Sequence, residues 1–379
     1  MKEILTLNKI SPVIDDVFDD NYTVAADVVN PDGILLRSYN MADYAVGDRL
    51  VAVGRAGAGV NNIPVKDMAE KGIVVFNTPG ANANAVKELT ICAMLLACRD
   101  IVGGTKWVNT LEGADVAKQA EKGKANFAGS EIAGKTLGVV GLGAIGKAVA
   151  QAAKALGMTV IGYDPYVAGA DLGFDVVDLD TVYAKSDFIT LHVPLVDATR
   201  GMINAAAIAK MKKGVIIVNI ARGELANVED VKAAVAAGDV AKYVVDFPSE
   251  ALLNTPNVLV LPHLGASTEE AENNCAYMAA AQVKDYIENG NIINSVNFPA
   301  CNMPRSTPYR IVILHRNVAN MLAQITAVVG NEGINISNLS NQSRGEYAVT
   351  MLDVDNEVSS ADLEQIAKVE NVLRVRFLH

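Results

Sequence analysis

The chain predicts an α/β protein: two parallel-sheet lobes of Rossmann or flavodoxin-like type, followed by a C-terminal ferredoxin-like β-α-β-β-α-β module. Three observations carry this. Short apolar strands alternate with helix-favouring segments from Met1 to about Asn82. A glycine loop, Gly141-Leu-Gly143-Ala144-Ile145-Gly146, opens a second such series, and beyond the prolines between Pro299 and Pro308 the pattern becomes strand, helix, two strands, helix, strand.

In the first series the strands are Ile4 to Leu7, Tyr22 to Ala26, Gly33 to Leu36, Leu50 to Val53 and Ile73 to Phe76. An apolar helix follows from Lys87 to Val102. The second series has strands at Thr136 to Val140, Thr159 to Tyr163, Phe188 to His192, Gly214 to Ile220, Tyr243 to Asp246 and Val258 to Leu261. An Ala-rich helix then runs from Glu270 to about Glu288, and Ser295 to Pro299 reads as a further strand. Residues 301–308 read as a linker. Past it, strands at Arg310 to Leu314, Ile334 to Ser340, Glu346 to Val354 and Val372 to Leu378, with helices at Ala319 to Glu332 and Ala361 to Val369, make an independent module over 309–379.

Each part of the glycine loop has a physical task. Gly141 permits a tight turn, Gly143 lets backbone approach a phosphate, and Gly146 lets the Ala144 to Leu156 helix lie against the strand with its N-terminus facing the anion. Asp164 ends the next strand, about twenty residues on, where a carboxylate holds a ribose 2′-hydroxyl. An acid there repels a 2′-phosphate, so NAD is expected over NADP.

Composition narrows the function. The 379 residues allow two or three domains, and a net charge of −11 argues against nucleic acid or anionic membrane as partner. No apolar run reaches the length of a membrane span, the N-terminus has no signal-peptide pattern, and a cytoplasmic location is expected. Cys92, Cys98, Cys275 and Cys301 lack metal-site spacing and read as core thiols; no metal is expected. Any anionic substrate needs a local group of arginines.

The candidate chemistry lies after strand ends. His263, in Pro262-His-Leu-Gly265, follows a strand at the sheet edge where open α/β folds bind ligands. Arg222, in Asn219-Ile-Ala-Arg222-Gly223, follows another and offers a planar clamp for a carboxylate. Glu250 is placed to accept the other ring N–H of the imidazole. His192 reads as packing or cofactor edge, and terminal His379 has no role.

These segments, with Val53-Gly-Arg55-Ala56-Gly57-Ala-Gly59-Val-Asn-Asn62, Asn77-Thr-Pro79 and Glu88-Leu-Thr90, resemble the D-2-hydroxyacid dehydrogenases over almost the whole chain. The resemblance implies that Arg222 holds the substrate carboxylate, His263 is the acid/base, and Glu250 orients it. It implies NAD contacts from Gly141, Gly143, Ala144, Ile145, Gly146, Asp164, His192, Pro194, Ala221 and Asp246. It also implies that residues 271–300 return to complete a substrate lobe begun by 1–85, around an NAD-binding domain of 86–270 on which that lobe closes. Departures from the family pattern are Asn61 and Asn227 for aspartates, Ala251 after Glu250, and a loop from Asp246 to Glu250 shorter by one residue.

Within the family, Arg37 and Arg55, with Ala56 and Gly57, lie where the phosphoglycerate-oxidising members hold substrate phosphate. This implies 3-phospho-D-glycerate as substrate, 3-phosphonooxypyruvate as product and serine synthesis as the setting. The C-terminal module resembles the amino-acid-sensing ACT domain, with His315, Asn317 and Asn335 at the serine-binding positions of a subunit interface. A homodimer or homotetramer inhibited by L-serine is implied; Ala319-Asn320 replaces the usual Pro-Gly turn. The alternatives are a reductase for hydroxypyruvate or glyoxylate, and a non-catalytic NAD-sensing protein of corepressor type.

Overall fold

The structure, a computed structural model, describes residues 1–167 and 172–379. Its first sheet contains β1 (Lys2–Leu7), β2 (Tyr22–Ala25), β3 (Gly33–Leu36), β4 (Ala52–Arg55) and β5 (Val74–Phe76). The order is β2-β1-β3-β4-β5, all parallel. Every residue of β3 and β5 is buried, as a parallel sheet covered on both faces requires. The chain switches direction between β1 and β3. There Asn8, after β1, accepts the Ser38 N–H at 3.1 Å and so sets the loop that carries Arg37.

The second sheet contains β6 (Thr136–Val140), β7 (Thr159–Tyr163), β8 (Asp175–Val176), β9 (Phe188–Leu191), β10 (Val215–Asn219), β11 (Val240–Val245) and β12 (Val258–Val260). It is parallel and doubly wound, in the order β12-β11-β10-β9-β6-β7-β8. Its switch point falls between β6 and β9, and the crevice outside the carboxyl ends of those strands is where such sheets take ligands.

The third sheet, β13 (Tyr309–Arg316), β14 (Ile336–Arg344), β15 (Tyr347–Val354) and β16 (Val372–Leu378), is antiparallel in the order β14-β15-β13-β16. With the helices Met321–Asn331 and Ser360–Ala367 on one face it completes the expected β-α-β-β-α-β run. Ser295 to Pro299 is not a strand: it makes a single bridge, Phe76 to Ser295.

Two compact units result, 1–82 with 272–379, and 83–271. The C-terminal module therefore belongs with the first sheet instead of hanging from a tether. Val312, Leu314, Tyr347, Val349 and Met351 share one core with Tyr286, Phe298, Cys301 and Met303. The stretch 301–308 is pinned, since Cys301 exchanges backbone hydrogen bonds of 2.8 and 3.0 Å with Ile292, and Ser306 donates N–H and O–H to Asp353.

Arginines finish the junction. The last carbonyls of the Glu269–Asn289 helix have no partners within the helix and carry the negative end of its dipole. Arg376 donates to Tyr286 O and Ile287 O at 2.8 Å each, Arg305 to Glu288 O at 3.2 Å, and Arg310 to Asn289 O at 2.9 Å. Arg310 and Asp353 are fully buried and paired in parallel, Nε to Oδ1 at 2.6 Å and Nη2 to Oδ2 at 3.1 Å. Glu70 receives Arg316 and the Tyr347 hydroxyl at 2.5 Å each. Among the described residues no helix is long and apolar enough to cross a membrane.

Burial pushes the Asp353 carboxyl up, but Arg310 and Ser306 hold it, on balance, below the ordinary carboxylate range. Its stabilising contribution is therefore complete above the unfolded value and is lost as pH falls through the lowered one. Arg310→Met leaves that carboxylate buried without its partner and should cost about 3–5 kcal/mol in urea unfolding at neutral pH. The gap from wild type should narrow below about pH 4; a gap independent of pH would show that the pair is not the cause.

Candidate active site

Every residue singled out in the second unit lies at or beyond the carboxyl end of a strand. Gly141 follows β6 with φ of 95°, and a Cβ there would stand 2.7 Å from the His192 carbonyl carbon, so only glycine lets the loops after β6 and β9 meet. A Cβ on Gly146 would stand 1.9 Å from Gly141 O, which explains the close approach of helix Ala144–Ala155. Gly143, its N-cap, faces open space and lends no side-chain cap to the first turn. Unfilled room beside a helix N-terminus, with no acidic residue in that turn, fits a pyrophosphate.

Asp164 follows β7. One carboxylate oxygen accepts the Leu142 N–H at 2.8 Å and the other the Tyr166 N–H at 2.9 Å, which ties the acid to the glycine loop. His192 follows β9, with Nε2 3.0 Å from Thr190 Oγ1, and desolvation pushes its imidazole down to about 3. It is a neutral ring at physiological pH. Pro194, exposed beyond it, accepts Thr199 Oγ1 at 2.6 Å.

Two fully buried polar side chains build the other loops. Asn219, the last residue of β10, accepts the N–H groups of Ala221 and Arg222 at 3.2 and 3.3 Å and donates to Arg222 O at 2.8 Å and the Tyr243 hydroxyl at 3.2 Å. Arg222 is thereby set in place; its Nη1 donates to Ala221 O at 2.7 Å, and no carboxylate pairs with it among the described residues. Asp246, after β11, accepts the N–H of Leu264 at 2.8 Å and of Gly265 at 2.7 Å. Expected against the cofactor, it has both oxygens committed to the loop that presents His263.

His263 is exposed, with φ of 61°, a conformation rare outside glycine and asparagine. Its ring lies 4.7 Å from that of Phe247. The expected hydrogen bond from its ring N–H to Glu250 is not made. Glu250 heads a short 3-10 turn, Glu250–Leu252, and is exposed, in keeping with the shortened loop before it.

In the first unit Arg37 follows β3 and Arg55 ends β4, again at carboxyl edges. Arg37 Nη1 pairs with Glu272 Oε1 at 2.5 Å. Gly57 takes φ of 146°, a conformation that residues with a side chain rarely adopt, and its N–H donates to Thr78 Oγ1 at 2.8 Å. Ala56 is buried and bonds Leu36 O at 2.8 Å. Asn219, Thr78 and Glu272 were missing from the sequence-derived site. For Asn219 the signal was a polar residue closing the apolar run Val215–Asn219.

The effector candidates do not form one site within a chain. His315 and Asn317 stand at the end of the third sheet where the β13–β15 pairing closes with Arg316 opposite Tyr347, and Asn317 donates to Gly345 O at 3.0 Å. Asn335 stands at the opposite end, bonded to Asp355, where β14 and β13 both pair with Val354. His315 is buried, with Nδ1 2.9 Å from Arg316 O and Nε2 2.9 Å from Thr350 Oγ1, and desolvation lowers its pKa. A neutral ring gives its Nδ1 proton to the carbonyl, and the Thr350 hydroxyl, which has one proton, lies 2.9 Å from both Nε2 and Asn341 Oδ1. Asn320 takes φ of 70°, so the Ala319-Asn320 turn keeps the left-handed geometry that glycine otherwise supplies.

The glycines separate fold from binding. Gly146→Ala should lower the thermal midpoint by several degrees because its methyl meets backbone. Gly143→Ala should leave the midpoint near wild type while weakening NAD at least ~10-fold, since its methyl enters only the space left for phosphate. Titration of NAD by protein fluorescence, with melting curves, distinguishes the two; equal melting losses would refute the assignment of Gly143.

The sequence profile of the D-isomer specific 2-hydroxyacid dehydrogenase NAD-binding domain matches residues 91–265. The chain is 39% identical over 291 residues to D-3-phosphoglycerate dehydrogenase of Methanocaldococcus jannaschii, covering 73% of this chain and 53% of that one. It is 46% identical over 235 residues to hydroxypyruvate reductase of Thermotoga maritima, covering 60% and 74%. The chain spans about half the length of most of the curated phosphoglycerate dehydrogenase relatives it matches. Among solved structures, NAD-bound 3-phosphoglycerate dehydrogenase of Entamoeba histolytica superposes with a TM-score of 0.63 at 27% identity over 78% of this chain and 98% of that one. With its doubly wound sheet, glycine cradle and strand-end arginine and histidine, the chain belongs to the D-isomer specific 2-hydroxyacid dehydrogenases and carries their NAD-binding domain.

Proposed function

We propose that the chain oxidises 3-phospho-D-glycerate to 3-phosphonooxypyruvate with NAD, the first step of serine synthesis. The observation that carries this reading is Arg37 and Arg55 together at strand ends of the first unit, in a chain of net charge −11. Guanidinium groups suit a phosphate dianion, and an enzyme for unphosphorylated hydroxy acids has no need of them there. The M. jannaschii relative supports the same choice; the T. maritima relative favours a second reading, reduction of hydroxypyruvate.

Bound NAD supplies the hydride acceptor. Around it, Asp164 takes the ribose hydroxyls, and the first turn of helix Ala144–Ala155 takes the pyrophosphate. Arg222 holds the substrate carboxylate, a role open to a guanidinium with no counter-ion among the described residues. His263 removes the hydroxyl proton, with Asp246 fixing its loop as a positioning residue. Glu250 orients the ring by accepting its other N–H once the short turn Glu250–Leu252 rearranges.

The third sheet is read as an ACT-type regulatory module for L-serine. Because His315 and Asn317 lie at one end of the sheet and Asn335 at the other, a serine site drawing on all three needs a second copy of the chain. Helices Ile101–Val108 and Val116–Gly123, which contain no buried residue and expose Ile101, Val102, Val108 and Val116, support a homo-oligomer.

Comparing phosphoglycerate, D-glycerate, D-lactate and hydroxypyruvate as substrates, followed by NADH absorbance, tests the choice. Phosphoglycerate should exceed the unphosphorylated acids in kcat/KM, and Arg37→Ala or Arg55→Ala should erase most of that preference. His263→Ala should lower kcat by about 10²- to 10⁴-fold with NAD binding retained. Asp164→Ser should weaken NAD and relax the exclusion of NADP; a wild type that prefers NADP would overturn the ribose assignment. Calorimetry with L-serine tests regulation, and no heat in the full chain would remove that part alone.

A further inference from the structure

The Arg37 guanidinium already holds an anion supplied by the chain. Its Nη1 lies 2.5 Å from Glu272 Oε1, and the two side chains are 40% and 45% exposed, open enough for a solute to compete for either. Glu272 is the residue at which the chain re-enters the first unit. Arg55 belongs to the same group of charges. Burial is the largest influence on the nearby Cys275 thiol and raises it, while Arg55 and Arg37 draw it down and Glu272 pushes it up.

The charges set a selection rule. Glu272 withdraws part of the positive charge that Arg37 would offer a phosphate dianion. An exposed ion pair of this kind shifts an equilibrium by only about 1.4- to 5-fold. A dianion can break such a pair, whereas a ligand with one charge or none at that position gains too little to do so.

We propose that Glu272 is a built-in counter-ion of the phosphate subsite, occupying Arg37 until a dianionic group displaces it, and that it thereby tempers the affinity of that subsite for phosphate. This rests on the reading of Arg37 and Arg55 as phosphate ligands. Glu272 touches Arg37 and acts through it, as an affinity-tuning residue.

The experiment uses the full chain and inorganic phosphate as probe. In Glu272→Gln the constant for inhibition by inorganic phosphate, measured against phosphoglycerate, and the Michaelis constant for phosphoglycerate itself should both fall about 2- to 5-fold. The Michaelis constant for D-glycerate should not change. Glu272→Asp keeps the negative charge at the helix N-terminus but is one methylene too short for the pair, and should move the same way. In an Arg37→Ala background, Glu272→Gln should lose its effect. Unchanged or raised constants in both Glu272 variants overturn the counter-ion role, and so does an effect that persists without Arg37. If Arg37→Ala itself leaves the preference for phosphoglycerate over glycerate intact, the phosphate reading beneath the proposal falls instead.

Discussion

What the second unit presents to a ligand depends on two buried polar side chains, Asn219 and Asp246, both fully buried at the ends of adjacent strands. A polar group this deep costs free energy unless all its bonds are made, and each finds its partners only when one loop has one shape. Asn219 closes the turn that carries Arg222. Asp246 gathers the N–H groups of Leu264 and Gly265, and in doing so holds His263 at a positive φ that would otherwise relax. The candidate catalytic side chains can then be exposed without being loosely placed.

A comparable device acts in the first unit. The carboxyl end of helix Glu269–Asn289 is closed by guanidinium groups of Arg305, Arg310 and Arg376, two of them on strands of the third sheet. Their charge meets the negative end of the helix dipole, and their several N–H groups satisfy carbonyls that water would otherwise hold.

Charge is distributed by need. Acidic residues exceed basic ones by enough to give −11 overall. Yet arginines collect at strand ends and their loops, as Arg37, Arg55 and Arg222 do, and at the helix-terminal carbonyls beneath the third sheet. Arginine suits these places because its flat fork makes several directed bonds and stays charged when buried, as Arg310 is.

The sequence by itself determined the sheets and the nucleotide cradle, because both depend on local chemistry. Strand burial follows from runs such as Val215–Asn219, the turn after β6 from the glycines, and the left-handed step before helix Met321–Asn331 from Asn320. Tertiary structure decided what depends on distant partners. The prolines near 301–308 read as a tether, but Asp353 and Ile292 pin that stretch. Glu250 and His263 read as neighbours, but the short turn leaves Phe247 against the ring. His315, Asn317 and Asn335 read as positions at a subunit interface, and antiparallel register sets them at opposite ends of one sheet. Glu272 carried no signal, since only the return of the chain brings a carboxylate 235 positions away to Arg37. Spacing along the chain encodes turns and faces; which charges meet is settled by how the elements pack.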